Sequence, residues 1–310
     1  MFNFNHLYYF YVTAKSGSVT AAADHLTISQ PSLSAQLKVL EGAIDTKLFK
    51  KVGRNIRLTE VGAIVYGFCR RMFDVSEELN ELLTTQAASA SRRIHIGVSD
   101  EIERSFVVEV VSLFLKEHGE SLRPKVTMVS GSHSELVDRL RFRELDAVVT
   151  QLPMTDPELM SLMRTEVPVA LVASSRWSCP KKLQRAKSGA EVRQLVGGDA
   201  AQWVLPSSVF KLRSETDRFF ELHEIKGRIV FESDVVASLV RSVIDQLGFA
   251  FLPLLYIAHE RREKTIRILG PKEGFWKYRV WLGCHGKNRD DLLIKSLARC
   301  FKEVSDRALS

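Results

Sequence analysis

The sequence predicts a mixed α/β chain: a small helical head with a basic loop, a long connecting helix, and a larger body of alternating strands and helices. Three observations carry that prediction. The first sixty residues hold short helical patterns joined by sharp turns, followed by a strongly basic stretch. The next segment has apolar positions at alternating spacings of four and three. From Arg92 onward, apolar strand-like runs alternate with amphipathic helical runs.

In the head, Leu7, Phe10, Tyr11 and Ala14 share one face of a helix expected over roughly Asn5–Lys15. Gly17 and Ser18 stop it and cap the next one. The run Ser18–Leu26 is small and Ala-rich, as suits a helix packed closely on another that enters a DNA groove. In the following helix Leu33, Leu37 and Leu40 fall at i, i+4 and i+7 and face inward. Gln30, Pro31, Ser32, Ser34, Ala35 and Lys38 are left to face out. Pro31 costs nothing in a first turn, where its N–H would be unpaired anyway. Residues Lys47–Arg57 then carry five cations and no acid.

That order of parts is a winged helix-turn-helix. Gln30 can pair with adenine, Ser32 and Ser34 are permissive, and Lys38 reaches guanine or phosphate. Lys50, Lys51, Arg54 and Arg57 are expected on phosphates or in the minor groove. The plainer alternatives are a solvated helix face and a simple charge run.

Thr59 is expected to cap a helix running to about Thr85. Within it Val65, Cys69, Met72, Ser76, Leu79 and Leu83 recur at spacings of four, three, four, three and four. This is the seam of a coiled coil. The alternative is one amphipathic helix packed on its own domain. Dimerisation through Val65, Cys69, Met72, Leu79 and Leu83 is preferred, because such heads commonly read two-fold operators. Gln86–Ser91 is small and polar and reads as a hinge.

The body is expected to place strands at Ile94–Val98, Lys125–Val129 and Ala147–Thr150, with helices at Arg104–Glu117 and His133–Phe142. A second set has strands near Val167–Ala173, Arg228–Phe231 and Phe249–Leu252, with helices at Ser208–Leu222 and Asp234–Asp245. A return strand near Val280–Cys284 and a helix from Asp290 complete it. The βαβ rhythm implies a mostly parallel sheet.

Composition bounds the function. The chain has 310 residues, 45% of them hydrophobic and 26% charged, and a net charge of +7, which favours an acidic polymer partner. No run of eighteen apolar residues occurs, and residues 1–6 do not start a signal peptide. The four cysteines stand far apart, which argues for a reducing compartment and against zinc or disulfides. A cytoplasmic protein without membrane association is expected. There is no phosphate-binding loop motif, nucleophile elbow or H-E-x-x-H helix, and the eight histidines lack metal-ligand spacing. No catalytic residues, metal site or cofactor are therefore expected, and an enzyme is disfavoured.

Ser29-Gln30-Pro31-Ser32-Leu33-Ser34-Ala35-Gln36-Leu37, Leu40-Glu41, Leu48-Phe49 and Leu58-Thr59-Glu60-Val61-Gly62 resemble the amino-terminal domain of LysR-type transcriptional regulators. Ile94–Ser99 resembles the first strand of that family's effector domain, and Gln246–Pro253 its late "GLGIALLP" segment. The resemblance covers nearly the whole chain. Two departures are mild. Asp45 stands where Gly is usual after the recognition helix, and Asp tolerates a left-handed turn. Ala35 replaces a common basic residue.

The resemblance implies a winged helix-turn-helix at 1–58, a linker helix and hinge at 59–91, and an effector-binding domain at 92–310. That domain would be two periplasmic-binding-protein-like α/β lobes, about 92–160 with 266–310, and about 161–265. It also implies binding of double-stranded promoter DNA, a small-molecule or ion effector, assembly from homodimer to homotetramer, and contact with RNA polymerase. By the rule that ligands sit at strand carboxyl ends, Ser99, Asp100, Ser130, Ser132 and Gln151 are effector candidates. The family's cleft adds Ser207 and Phe249. For each serine a plain helix cap is the competing reading. Asp100-Glu101-Ile102-Glu103 either caps its own helix or forms an acidic mouth suited to a cation or amine. Asn5–Phe10, Leu48–Lys51 and Gly97–Asp100 also resemble the branch of the family that regulates sodium/proton antiporters, which makes Na+ a candidate input.

Overall fold

The computed structural model describes residues 3–52, 55–85, 92–119, 124–177, 186–196 and 201–309. The chain clusters into two compact units. One joins 1–95 with 118–127 and 138–146; the other joins 96–117 with 128–137 and 147–310.

The first unit begins with α1 (Phe4–Ser16), α2 (Val19–Leu26) and α3 (Gln30–Ala43). Gly17 closes α1 in the left-handed region at φ 65°, and Ser18 Oγ accepts the Ala21 N–H to start α2. Ala22 and Ala23 are buried with Phe10, Leu33, Leu37, Leu40 and Leu48 in one core. Asp45 takes φ 49°, the left-handed turn expected of it. The wing is an antiparallel hairpin of β1 (Phe49–Val52) and β2 (Asn55–Leu58). Glu41, near the end of α3, fixes where that wing starts. Its carboxylate accepts the Leu48 and Phe49 N–H groups at 2.9 and 3.3 Å and pairs with Lys47 at 2.7 Å.

Helix α4 (Glu60–Thr85) follows, with Thr59 Oγ1 accepting the Gly62 N–H at 2.9 Å as its cap. Its two apolar faces behave differently. Val65, Tyr66, Cys69 and Phe73 pack on the head, and the rings of Tyr66 and Phe73 lie 5.6 and 5.2 Å from that of Tyr11. Cys69 is only 2% exposed. The expected seam is corrected at Val65 and Cys69, which serve the head's own core. The other face carries Val61, Ile64, Phe68, Val75, Leu79 and Leu83, all exposed. The hinge read at Gln86–Ser91 lies outside the described residues.

After α4 the elements alternate: β3 (Arg93–Ser99), α5 (Arg104–His118), β4 (Lys125–Gly131), α6 (His133–Arg141), β5 (Ala147–Thr150) and β6 (Leu159–Ser174). Then come α7 (Gly189–Val196), β7 (Gln202–Pro206), α8 (Lys211–Leu222), β8 (Arg228–Ser233), α9 (Val236–Ile244), β9 (Ala250–Pro253) and α10 (Ala258–Arg262). The described chain closes with β10 (Ile266–Leu269), β11 (Trp276–His285) and α11 (Leu292–Leu309). Sheet order is β10-β6-β11-β5-β3-β4, with β9 beside β6 and a parallel β7–β8 pair bridged through Trp203 and Phe249.

Two lobes result, and long strands run through both. Strand β11 pairs antiparallel with β6 along its whole length, and its second half also pairs antiparallel with β5, so the sheet expected to be mostly parallel is mixed. The far end of β6 holds β9 and β10. Four elements were not anticipated: α7, β7, α10 and β10. Strand β6 also starts eight residues before the expected Val167. Because β10 pairs with Leu171–Ser174, Ile266–Leu269 stays with the second lobe, and the return to the first is made along β11.

Candidate nucleic-acid interface and inter-lobe site

On α3 the three inward leucines leave a continuous outer stripe. Gln30, Pro31, Ser32, Ala35 and Lys38 are exposed, and Ser34 is half-buried. Ser29 Oγ caps the helix by accepting the Ser32 N–H at 3.3 Å. Val39 also lies exposed on this stripe, next to Ala35. Sequence reasoning passed over it, because an apolar residue beside three leucines looks like core. In the wing Lys50, Lys51 and Arg57 are exposed, and Lys50 stands directly across from Arg57. Like charges opposite one another destabilise a hairpin unless an anion lies between them. Arg54 falls outside the described residues.

Further along α4, Arg70 ties the helix to the end of α6 and the turn after it. Its guanidinium donates to the Arg143 carbonyl at 2.8 Å and contacts Asp74 at 3.3 Å and Asp146 at 3.1 Å. A guanidinium only donates, so the His95 Nδ1 facing it at 2.5 Å must accept. Burial would raise the Asp146 carboxyl; hydrogen bonds from the His95 backbone N–H and from Arg70, with the Arg70 charge, outweigh it and hold it at about 2. Gly67 makes the approach possible, since a Cβ there would sit 1.7 Å from the Phe142 carbonyl oxygen.

The second unit gathers polar side chains where the lobes meet, around Glu101 rather than around the serines. Glu101 is 9% exposed. Its carboxylate accepts the Lys211 backbone N–H at 2.7 Å, the Gln151 Nε2 at 2.5 Å and the Tyr278 hydroxyl at 3.2 Å. The buried Tyr256 hydroxyl donates to the Glu101 carbonyl. Burial pushes the Glu101 carboxyl up, while the donors from Lys211, Tyr278, Leu212 and Gln151 pull the other way. Gln151 is oriented from behind: its Oε1 accepts from Thr150 Oγ1 at 3.0 Å, which contacts His133 Nδ1 at 2.7 Å. Burial lowers the His133 pKa, so the ring is neutral near neutral pH.

Lys211 is the first residue of α8, and the preceding Phe210 gives no side-chain cap. Glu101, more than a hundred residues earlier, supplies the missing acceptor. The nearest sequence signal was that Phe210 cannot cap; nothing local names the partner.

The other expected effector residues separate. Gln151 is in the cluster, and Ser99 is buried at the end of β3. Asp100 turns away into an ion pair with Arg104 at 3.2 Å. Ser132 accepts the Glu135 N–H at 3.3 Å, which is the plain cap reading, and Ser130 is exposed on β4. The Ser207 N–H donates to the Ser233 carbonyl at 2.8 Å, within the second lobe. Phe249 stacks on Trp177 at 4.7 Å and packs near Trp203. It belongs to an aromatic core, not to the polar cluster.

The acidic run is likewise not an open cation mouth. Asp100 holds Arg104, Glu101 caps α8, and Glu103 accepts the Ser105 N–H at 3.3 Å. Among the described residues no group of three or more His, Cys, Asp or Glu is arranged for a metal ion. None of the described helices is long and apolar enough to cross a membrane.

A winged helix-turn-helix head, a long linker helix and a two-lobed α/β body define a class, the ligand-responsive transcription regulators. The sequence matches the family described as "Bacterial regulatory helix-turn-helix protein, lysR family" over residues 4–63 and "LysR substrate binding domain" over residues 87–306. The chain belongs to the LysR family of transcriptional regulators; the matched families and relatives are regulators, not enzymes.

It is similar to the transcriptional activator protein NhaR of Escherichia coli, at 28% identity over 165 residues, which cover 53% of this chain and 54% of that relative. The alignment thus spans about half of either protein. It is also similar to the RuBisCO operon transcriptional regulator of Allochromatium vinosum, at 27% identity over 88% of this chain and 86% of that one. Among solved structures, full-length OxyR C199D of Pseudomonas aeruginosa superposes with a TM-score of 0.66 at 17% identity, covering 97% and 95% of the two chains. That likeness shows the fold.

Proposed function

We propose that the protein binds promoter DNA as a symmetric assembly and adjusts transcription in response to a small ligand taken up between its two lobes. In this reading α3 enters the major groove. Gln30, Ser32, Ser34 and Lys38 address base edges, while Ala35 and Val39 contact thymine methyls. Lys50, Lys51 and Arg57 hold phosphates, with Arg54 beside them in the wing sequence. The exposed face of α4 pairs two heads, and contacts between bodies extend the dimer to a tetramer. Ligand binding changes lobe closure. The change alters how the heads sit on DNA and so the access of RNA polymerase, which requires only that the ligand favour one state over the other.

The observation that carries the reading is the exposed polar stripe of α3 next to the like-charged pair Lys50 and Arg57 across the hairpin. Replacing Lys50 and Lys51 by Ala tests it on the DNA upstream of the protein's own gene. Affinity is expected to fall for all sequences alike, and the slope of log affinity against log salt to flatten by about 1 per lysine. An unchanged slope would remove the wing from the interface. Sodium, the input suggested by the resemblance of Asn5–Phe10, Leu48–Lys51 and Gly97–Asp100 to the antiporter-regulating branch of the family, is one ligand to test; small carboxylates and amines are others.

A further inference from the structure

We propose that Glu41 and Thr59 are positioning residues for DNA binding: from α3 and from the start of α4 they clamp the Lys47–Phe49 backbone, and so aim the wing at the phosphates without touching them. The proposal rests on the reading of Lys50 and Lys51 as phosphate contacts and names what holds them in place.

The wing has little structure of its own. It is a two-stranded hairpin with four residues in each strand, and such ribbons are marginal in water unless something else fixes them. Lys50, Lys51, Val52 and Arg57 are exposed. The hairpin is anchored at its base, where Leu48 is buried and the Phe49 ring lies 5.3 Å from that of Phe10. Lys50 and Lys51 follow directly on that base, so its direction decides where their ammonium groups reach.

Four hydrogen bonds grip the base from both sides. On one side a single oxygen of Glu41, Oε1, accepts the Leu48 N–H at 2.9 Å and the Phe49 N–H at 3.3 Å. On the other, the Thr59 hydroxyl donates to the Lys47 carbonyl at 2.7 Å, and the Thr59 N–H donates to the Leu48 carbonyl at 3.0 Å. The second Glu41 oxygen, Oε2, pairs with the Lys47 ammonium at 2.7 Å. Burial would raise the Glu41 carboxyl, but hydrogen bonds from Lys47, Leu48 and Phe49 outweigh it and hold it below the usual carboxylate range. The Thr59 hydroxyl also accepts the Gly62 N–H, and a Cβ on Gly62 would sit 2.1 Å from the Leu48 carbonyl oxygen. Helix α4 thus starts directly against the peptide that α3 holds, and the wing is tied to both helices at once.

The test is the salt dependence of DNA binding by the full chain, on the DNA upstream of its own gene, at a temperature where circular dichroism shows the variants folded. Glu41→Ala is expected to flatten the slope of log affinity against log salt by about 2, because both wing lysines lose their aim. A loss of folded protein does not mimic this, since it scales affinity by the folded fraction and leaves the slope alone. Glu41→Gln should keep the wild-type slope. Its one carbonyl oxygen can still accept both N–H groups, and the lost partner Lys47 is 74% exposed, a pair of little worth. Lys50→Ala with Lys51→Ala should flatten the slope by about 2 in the wild-type chain and no further in the Glu41→Ala background. Thr59→Val, which keeps the shape and loses the hydroxyl, should shift the slope in the same direction as Glu41→Ala, and Thr59→Ser should not.

A folded Glu41→Ala with the wild-type slope overturns the proposal, as does additivity with the lysine changes. Glu41→Gln as flat as Glu41→Ala overturns it too, by making the charge and not the two backbone bonds the active part. If Glu41→Ala fails to fold, equal slopes for Thr59→Val and Thr59→Ser overturn it instead. The lysine double variant separates the two readings. If it keeps the wild-type slope, the wing reading falls and the positioning role with it. If it flattens while Glu41→Ala does not, only the positioning role falls.

Discussion

At the scale of single residues, buried charge among the described residues gathers at two places, and each joins segments distant in sequence. Arg70 gathers Asp74, Asp146, His95 and the Arg143 carbonyl around one guanidinium; Glu101 gathers Lys211, Gln151 and Tyr278 around one carboxylate. A buried charge left without its partner costs several kcal/mol, so each centre holds its neighbours in place. The Asp146 carboxyl lies at about 2 in the folded chain against an ordinary 3.8. A lowered carboxyl stabilises above its unfolded value and loses that contribution as pH falls through the folded one. The difference is worth about 2 kcal/mol, lost between about pH 4 and pH 2. Asp146→Asn should be less stable than wild type at pH 6 and show a shallower fall in melting temperature on acidification. Parallel curves for the two proteins would rule out the role given to Asp146. The candidate site was partly legible at this scale. Gln151 and the exposed side of α3 followed from strand ends and helix spacing, whereas Glu101, Tyr256 and Tyr278 were hidden. A glutamate before a helix looks like its cap, and tyrosines in apolar segments look like core.

At the scale of elements, α4 shows how one pattern serves two surfaces. Its four-three spacing suits a seam, yet two equally regular apolar faces run along it. Val65, Tyr66, Cys69 and Phe73 cover the head, while Phe68 and Val75 are 56% and 62% exposed. Periodicity gives the existence of an apolar face and not its partner. The exposed face is the one available to a second copy. Phe68→Glu combined with Val75→Glu should shift sedimentation to a smaller species while leaving the head's melting nearly unchanged. Cys69→Asp should instead destabilise the head by about 2 kcal/mol or more, because it buries a charge without a partner. Double-glutamate protein that sediments like wild type would place the interface elsewhere.

At the scale of the whole molecule, long strands β6 and β11 run through both lobes, and the Glu101 cluster lies where those lobes meet. A ligand acting there can shift an equilibrium only by its differential affinity for the two closures, typically a few kcal/mol. Footprints of the protein on its own upstream DNA, with sodium exchanged for potassium at fixed ionic strength, address the input directly. With every acid of the Asp100–Glu103 run already holding a donor, the footprint is expected not to change with sodium and to change with small carboxylates. A protected region that lengthens or gains hypersensitive bands with sodium would reverse that ranking.

The sequence by itself determined the order of parts: three head helices, the wing, the long α4 and the strand–helix alternation of the body. These follow from local rules, namely caps such as Ser18 and Thr59, inward leucines every three or four residues, and strand runs flanked by turns. It also determined which residues of α3 and the wing face outward, because a helix that buries Leu33, Leu37 and Leu40 has only one other side. What only the tertiary structure decided was every pairing at long range. Which face of α4 the head covers, the assignment of β10 to the second lobe, the cap of α8 by Glu101 and the closure of Arg70 on Asp146 all join residues far apart in the chain. Their energy comes from desolvated charge and packed surface that exist only once the chain has folded. No local spacing records them, and Phe210, a helix start with no cap of its own, marks one such pairing without naming its partner.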